Sequence, residues 1–288
     1  MKSQSDTIPY PPLISLFSNT FSIFSKNWLS LVGITAIPSL LSLAFFAFFA
    51  TFFLGNFLSL LLNRNYVQIL SMLPLAVFFL SILSIVNLWS GSALIYYISN
   101  LDKKLSIKTV YNQSWKYVSR FFSLTLLIGL ITFLGILLLI LPGVAFLFFS
   151  SLSVYVLFVE GLGGRIAIQK SWYYIKSHSK EYFIRIFIWY LLLMIVSSVF
   201  NGSDNSKNTV ETVAGLIFNS VTAPLTAIFV YLNYQHLKSL PREKEFIYSK
   251  KGWVVYVLLA FLALILFVAF ILWIINILST SLVNPSLF

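Results

Sequence analysis

The chain contains no cysteine, which excludes disulfides and thiolate metal sites. Charge is scarce as well: 9% of the 288 residues are charged, and only eight are Asp or Glu. Metal-assisted hydrolysis needs several carboxylates, usually with His, converging on one cation. Asp6, Asp102, Asp204, Glu211, Glu243 and Glu245 are instead dispersed over loops and span edges, and His178 and His236 each stand near a Lys without ligand spacing. The glycine run Gly161-Leu162-Gly163-Gly164 lacks the Lys-Ser/Thr of a phosphate loop and any preceding strand, and reads as a hinge. No catalytic set, metal site or cofactor site is expected.

Apolar residues are what remain, at 59% of the chain with 29 Phe. One soluble core cannot hide that much apolar surface under so few polar groups, so lipid is expected to be the solvent. Taking about 20 apolar residues per crossing, seven spans are drawn: Leu29 to Leu54, Val67 to Ser99, Phe121 to Leu141, Val144 to Glu160, Tyr182 to Phe200, Val213 to Tyr234 and Trp253 to Leu278. The expected fold is an all-α polytopic transmembrane bundle of six spans plus one. Residues 1–12 form a polar tail carrying Lys2 and Asp6, without the apolar region of a cleavable signal. Residues 13–240 form the six-span domain, and 241–288 a linker with the extra span. Between the third and fourth spans only Pro142 and Gly143 interrupt the apolar pattern, which predicts a tight antiparallel hairpin.

The basic residues set an orientation. Of 19 Lys and Arg, all but Arg64 and Lys207 precede the first span or occupy every second gap between spans. Such asymmetry places the basic connectors in the cytoplasm, hence an inner-membrane protein with its N-terminus inside and, after seven spans, its C-terminus outside. The excess of positive charge beside membrane spans fits anionic lipid headgroups and not nucleic acid.

The chain also repeats itself. Leu13, Phe17, Phe21, Phe24 and Lys26 register with Ile107, Tyr111, Trp115, Val118 and Arg120; Tyr111, Ser114, Trp115, Tyr117 and Val118 register with Ile168, Ser171, Trp172, Tyr174 and Ile175. Each unit is an amphipathic segment followed by two spans. Apolar side chains follow helical spacing on one face and Ser, Asn, Lys or Arg lie opposite, the pattern of helices lying in the headgroup plane. The third segment, Leu162 to Ser179, carries two stripes and fits a position between lipid and bundle.

Glu160 is the acidic group closest to a long apolar run, and an intramembrane ionisable residue is by default a functional candidate. At the end of its span it is expected to pair with Arg165 or Lys170 and to pin the hinge, with a proton or substrate role as the alternative. Glu181 and Arg185, four residues apart, read as a local pair. The neutral polar residues Asn87, Ser151 and Asn219 serve helix packing or line a polar cavity. Pro224 removes an amide donor from the sixth span and frees a carbonyl that such a cavity could use.

Leu141-Pro142-Gly143, a span ending in Glu160-Gly161, then Ala167 and Ser171-Trp172 resemble the bacterial membrane domain named after glycerophosphoryl diester phosphodiesterases, and related six-span families of unknown function. The resemblance covers about residues 10 to 240 and implies a six-helix membrane domain with interfacial helices, found alone or fused to a catalytic domain; no such catalytic domain is present in this sequence. The expected function is therefore non-enzymatic, organising lipids or partner proteins at the cytoplasmic leaflet. The alternative is a transporter or lipid-translocating protein, which a continuous polar cavity would favour.

Overall fold

The computed structural model describes residues 11–49, 51, 63, 66–138, 140–200, 209–242 and 245–248, together with Ile265, Ala269, Leu272, Trp273 and Asn276. The helices are α1 (Leu13–Phe49), α2 (Tyr66–Ile98), α3 (Ile107–Leu138), α4 (Ile140–Ser150), α5 (Ser153–Glu160), α6 (Gly164–Lys176), α7 (Ser179–Phe200) and α8 (Thr209–Ser239), with a short 3-10 turn at Leu101–Lys103. No strand occurs among the described residues. Five stretches are long and apolar enough to cross a membrane: Leu13–Phe49, Pro74–Ile98, Ile107–Ile136, Ile140–Glu160 and Ser179–Ser198. The expected sixth span, Val213 to Tyr234, lies within the single helix α8. The seventh, Trp253 to Leu278, falls almost wholly outside the described residues.

The first two amphipathic segments are not separate helices. No Gly or Pro stands between Leu13 and Trp28 or between Ile107 and Phe121, so nothing ends the helix, and each segment continues into its span as one rod. The apolar face of the first is partly buried in protein instead of lipid: Leu16 is buried, and Phe17 stacks on Trp189 at 5.5 Å. Trp189 in turn lies on Phe229 at 4.4 Å with the rings 8° from parallel. The third segment does form its own helix, α6, because Gly161 adopts the left-handed conformation (φ 69°) that favours glycine.

The α3–α4 hairpin forms, but its turn precedes Pro142. α4 already begins at Ile140, and proline is tolerated in a first helical turn because its missing amide hydrogen has no partner there. Gly143 serves packing: a Cβ on it would stand 2.5 Å from the backbone of Ile136, and one on Gly135 would stand 2.5 Å from Gly143 Cα. The expected fourth span also breaks after Ser150, at Ser151-Leu152. Ser171 of α6 spans that break, donating to the Phe149 carbonyl (2.6 Å) and accepting from the Leu152 amide (3.2 Å).

The core lies where the end of α2 (Ala93 to Ile98), α5, α6 and the second half of α8 meet. α3 starts beside Trp89, whose indole donates to the Tyr111 carbonyl (2.9 Å), and Ser92 donates to the Ser114 carbonyl (3.0 Å). Arg185 of α7 donates to the carbonyl of Pro11 and so fastens the chain just before α1.

Candidate functional site

Glu160 ends α5, where the Gly161 amide donates to the Leu157 carbonyl at 3.1 Å and closes the helix. Its side chain is only 10% exposed, so its charge needs partners. Oε1 accepts from the hydroxyls of Tyr174 (2.8 Å) and Tyr234 (2.7 Å), and Oε2 pairs with Lys170. Lys238 Nζ stands 3.8 Å from Oε1. Lys170 and Tyr174 are four residues apart on α6, as are Tyr234 and Lys238 on α8, a spacing that sets each pair on one helix face. One carboxylate thus joins α5, α6 and α8. Charge-assisted bonds of this kind are the strong ones. Burial, and next the bond to Glu160, push the Tyr174 hydroxyl well above the ordinary tyrosine range.

Arg242 closes the same end. Its guanidinium stacks over the rings of Tyr173 (4.5 Å) and Tyr174 (4.8 Å), and donates to the carbonyls of Tyr173 (2.5 Å) and Leu237 (2.7 Å). These carbonyls lie near the C-termini of α6 and α8, where a cation is favoured. Lys170 also stands 5.6 Å above the ring of Phe246.

An open interhelical cavity of about 970 Å³ adjoins the cluster. At its inner end Tyr155 donates to the Ala227 carbonyl (2.7 Å) and packs against Tyr231 (5.7 Å) and Tyr234 (5.9 Å). This tyrosine layer separates the cavity from Glu160. At the outer rim stand Gly129, Leu147, Tyr190 and Asn219, all exposed. From Val230 to Asn219 the rise along α8 is about 16 Å. The walls are chiefly apolar, and several of the lining hydroxyls are already engaged: Ser150 donates to Phe146, Thr222 to Phe218, and Thr226 accepts from Trp189.

Of the three residues expected at a polar cavity, two meet here. Ser151 lines it, its hydroxyl 2.7 Å from that of Tyr182, and Asn219 lies on the rim. Asn87 does not line it: its amide donates to Ser42 (3.2 Å) and to the Leu83 carbonyl (2.8 Å), on the α1–α2 face. Lys170 and not Arg165 makes the close ion pair with Glu160; Arg165 is exposed in the first turn of α6. The aligned tryptophans have different surroundings. Trp115 is half exposed and stands edge-on to Trp89 at 4.9 Å, whereas Trp172 packs on Phe149 at 4.9 Å. Tyr174, Tyr234 and Lys238 escaped sequence reasoning as partners of Glu160. Their only signal was the four-residue spacing of Lys with Tyr in two distant helices. Among the described residues no three of His, Asp and Glu come together as a metal site would require. Comparison with known protein families, curated proteins and solved structures returns no match.

Proposed function

We propose that this chain is a non-enzymatic integral membrane protein that binds lipid, seating apolar chains in the interhelical cavity and holding anionic headgroups along its basic end. The cavity carries this reading: its volume lies within the range of ligand sites, and its wall is apolar with a few placed hydroxyls and one amide. A path for ions or sugars would need polar groups left unengaged, whereas several of these hydroxyls already bond within the protein. The basic end faces the cytoplasm by the charge rule for loops, in the inner membrane. Peripheral or membrane protein partners would meet the same end.

Gly129 supplies the test, since a Cβ added there meets nothing within 4 Å. Gly129→Trp adds bulk at this exposed position on the rim. Protein purified in mild detergent is expected to retain lipid detectable by mass spectrometry, and the variant to retain less. Equal lipid content in both refutes the assignment. Lipid translocation is the second reading, favoured because a single tyrosine layer closes the cavity toward Glu160. Liposomes carrying the protein and a headgroup-labelled phospholipid decide it: scrambling that Gly129→Trp abolishes supports translocation, and none supports binding alone.

A further inference from the structure

A second site lies on the outer face of α2 and α3, away from the central cavity. An open groove of about 760 Å³ runs between them, with Val77, Leu80 and Leu88 on one wall and Trp115, Val118 and Phe122 on the other. Ser81 and Ser84 also line it, yet their hydroxyls donate to the Val77 (2.7 Å) and Leu80 (2.8 Å) carbonyls of their own helix. Those two serines therefore offer the groove little polarity. From Val77 to Leu88 it is about 16 Å long by helical rise, close to half the roughly 30 Å of bilayer hydrocarbon, the reach of one leaflet's acyl chain.

At Leu88 the character of α2 changes. Leu75, Val77, Phe78, Leu80 and Ile85 are exposed, whereas most residues from Ser90 to Ile98 are buried in protein. At that boundary stands the Trp89–Trp115 pair, 4.9 Å between centroids, with the indole of Trp89 fixed on the Tyr111 carbonyl. Paired tryptophans at such a boundary mark a membrane–water interface. Immediately beyond is a polar pocket of about 550 Å³ lined by Trp89, Lys108, Thr109 and Asn112. Lys116 is exposed on the flank of α3. Neither α2 nor α3 contains Asp or Glu, and the turn that joins them sets Asp102 against Lys103 and Lys104, so the net charge of this region is positive.

We infer that the groove and pocket together bind one anionic phospholipid of the surrounding leaflet. Its acyl chain lies along Leu80 and Phe122, its glycerol region rests against the Trp89–Trp115 pair, and its phosphate meets Lys108 and Asn112. The inference rests on the lipid-binding reading above, but on different residues. A Lys held near a membrane surface favours an anionic lipid by about fivefold over a zwitterionic one.

The test uses the full chain in nanodiscs containing brominated phosphatidylglycerol or brominated phosphatidylcholine, with bromine-induced quenching of tryptophan fluorescence as the signal. The phosphatidylglycerol is expected to quench at about one fifth of the mole fraction needed for phosphatidylcholine. Trp115→Phe should remove the preferentially quenched component, and Lys108→Gln with Asn112→Leu should make the two lipids equivalent. Both changes are at exposed positions, so they leave the core intact. Equal quenching in the unaltered protein, or a preference surviving the Lys108 and Asn112 changes, overturns the inference. Gly129→Phe, which adds bulk at the same rim without adding a tryptophan to the signal, separates it from the cavity reading, because loss of cavity lipid should leave this preference unchanged.

Discussion

Thr35 of α1 donates its hydroxyl to the carbonyl oxygen of Ser220 of α8 at 2.8 Å, and Ser220 is the residue whose helical partner Pro224 cannot supply. A proline inside a helix leaves the carbonyl four residues earlier without its amide. In a membrane that carbonyl must find another donor. The same device serves the other end of the contact: Pro38 leaves the Ile34 carbonyl open, and Ser90 (3.1 Å) and Tyr111 (2.8 Å) both donate to it. The carbonyl that Pro224 frees is therefore used to fasten α1 to α8 and not to line the cavity. These hydroxyls turn two local defects into links among α1, α2, α3 and α8.

Thr35→Val should cost about 1–3 kcal/mol, the penalty for a buried carbonyl left without a donor. Pro224→Ala in the same chain should recover much of it, since alanine restores the amide. A double-mutant cycle of thermal unfolding in detergent checks this. Additive effects of the two changes would show that the hydroxyl and the proline act independently.

Glu160→Gln removes the charge that Lys170 pairs with and presents an amide where two tyrosine hydroxyls donate. A loss of about 1–3 kcal/mol is expected, with the α6 segment becoming accessible to protease before the rest of the bundle. Tyr174→Phe and Tyr234→Phe should each lose less, because each deletes one bond and leaves the ion pair. Limited proteolysis between Gly161 and Ser179, together with the yield of monodisperse protein, measures it. Unchanged yield with an altered lipid complement would instead give Glu160 a direct part in ligand handling.

Helical character and the grouping of Lys and Arg were legible because each is a property of local sequence. Continuity of α1 and α3 was legible too in principle: no breaker stands after Leu13 or Ile107, and a predicted change from interfacial to spanning direction needs one. Tyr234 lies 74 residues from Glu160, and no local pattern announces such a partner. Ser171 stood out as a repeated residue, but its task depends on the break at Ser151-Leu152, which apolar composition hides. Asn87 and Asn219 have the same chemistry, and only the packing of α2 on α1 distinguishes them.

Gly143 and Gly129 should respond in opposite directions to the same substitution. Gly143→Ala places a methyl 2.5 Å from the Ile136 backbone, which the α3–α4 hairpin can relieve only by separating. A loss of about 1–3 kcal/mol follows, as for overpacking of a filled core. Gly129→Ala meets nothing and gains helix propensity, about 0.8–1.0 kcal/mol. Paired thermal melts test both; stabilisation at both positions would contradict the close backbone approach in the hairpin.

Tyr174 gives the pH dependence a sign. Burial and the bond to Glu160 hold its hydroxyl protonated far above the usual range. A group whose folded pKa is raised contributes stability fully below its unfolded value, near 10 for tyrosine, and loses that contribution as pH climbs through the folded value. The protein should therefore begin to lose stability above about pH 10, as unfolded tyrosines ionise while Tyr174 cannot. Removing the hydroxyl with Tyr174→Phe should lower stability at neutral pH and flatten the decline above about pH 10. Melting temperatures of both proteins between about pH 8 and 11 carry the test. Parallel curves across that range would mean that the Tyr174–Glu160 bond adds nothing to the folded state.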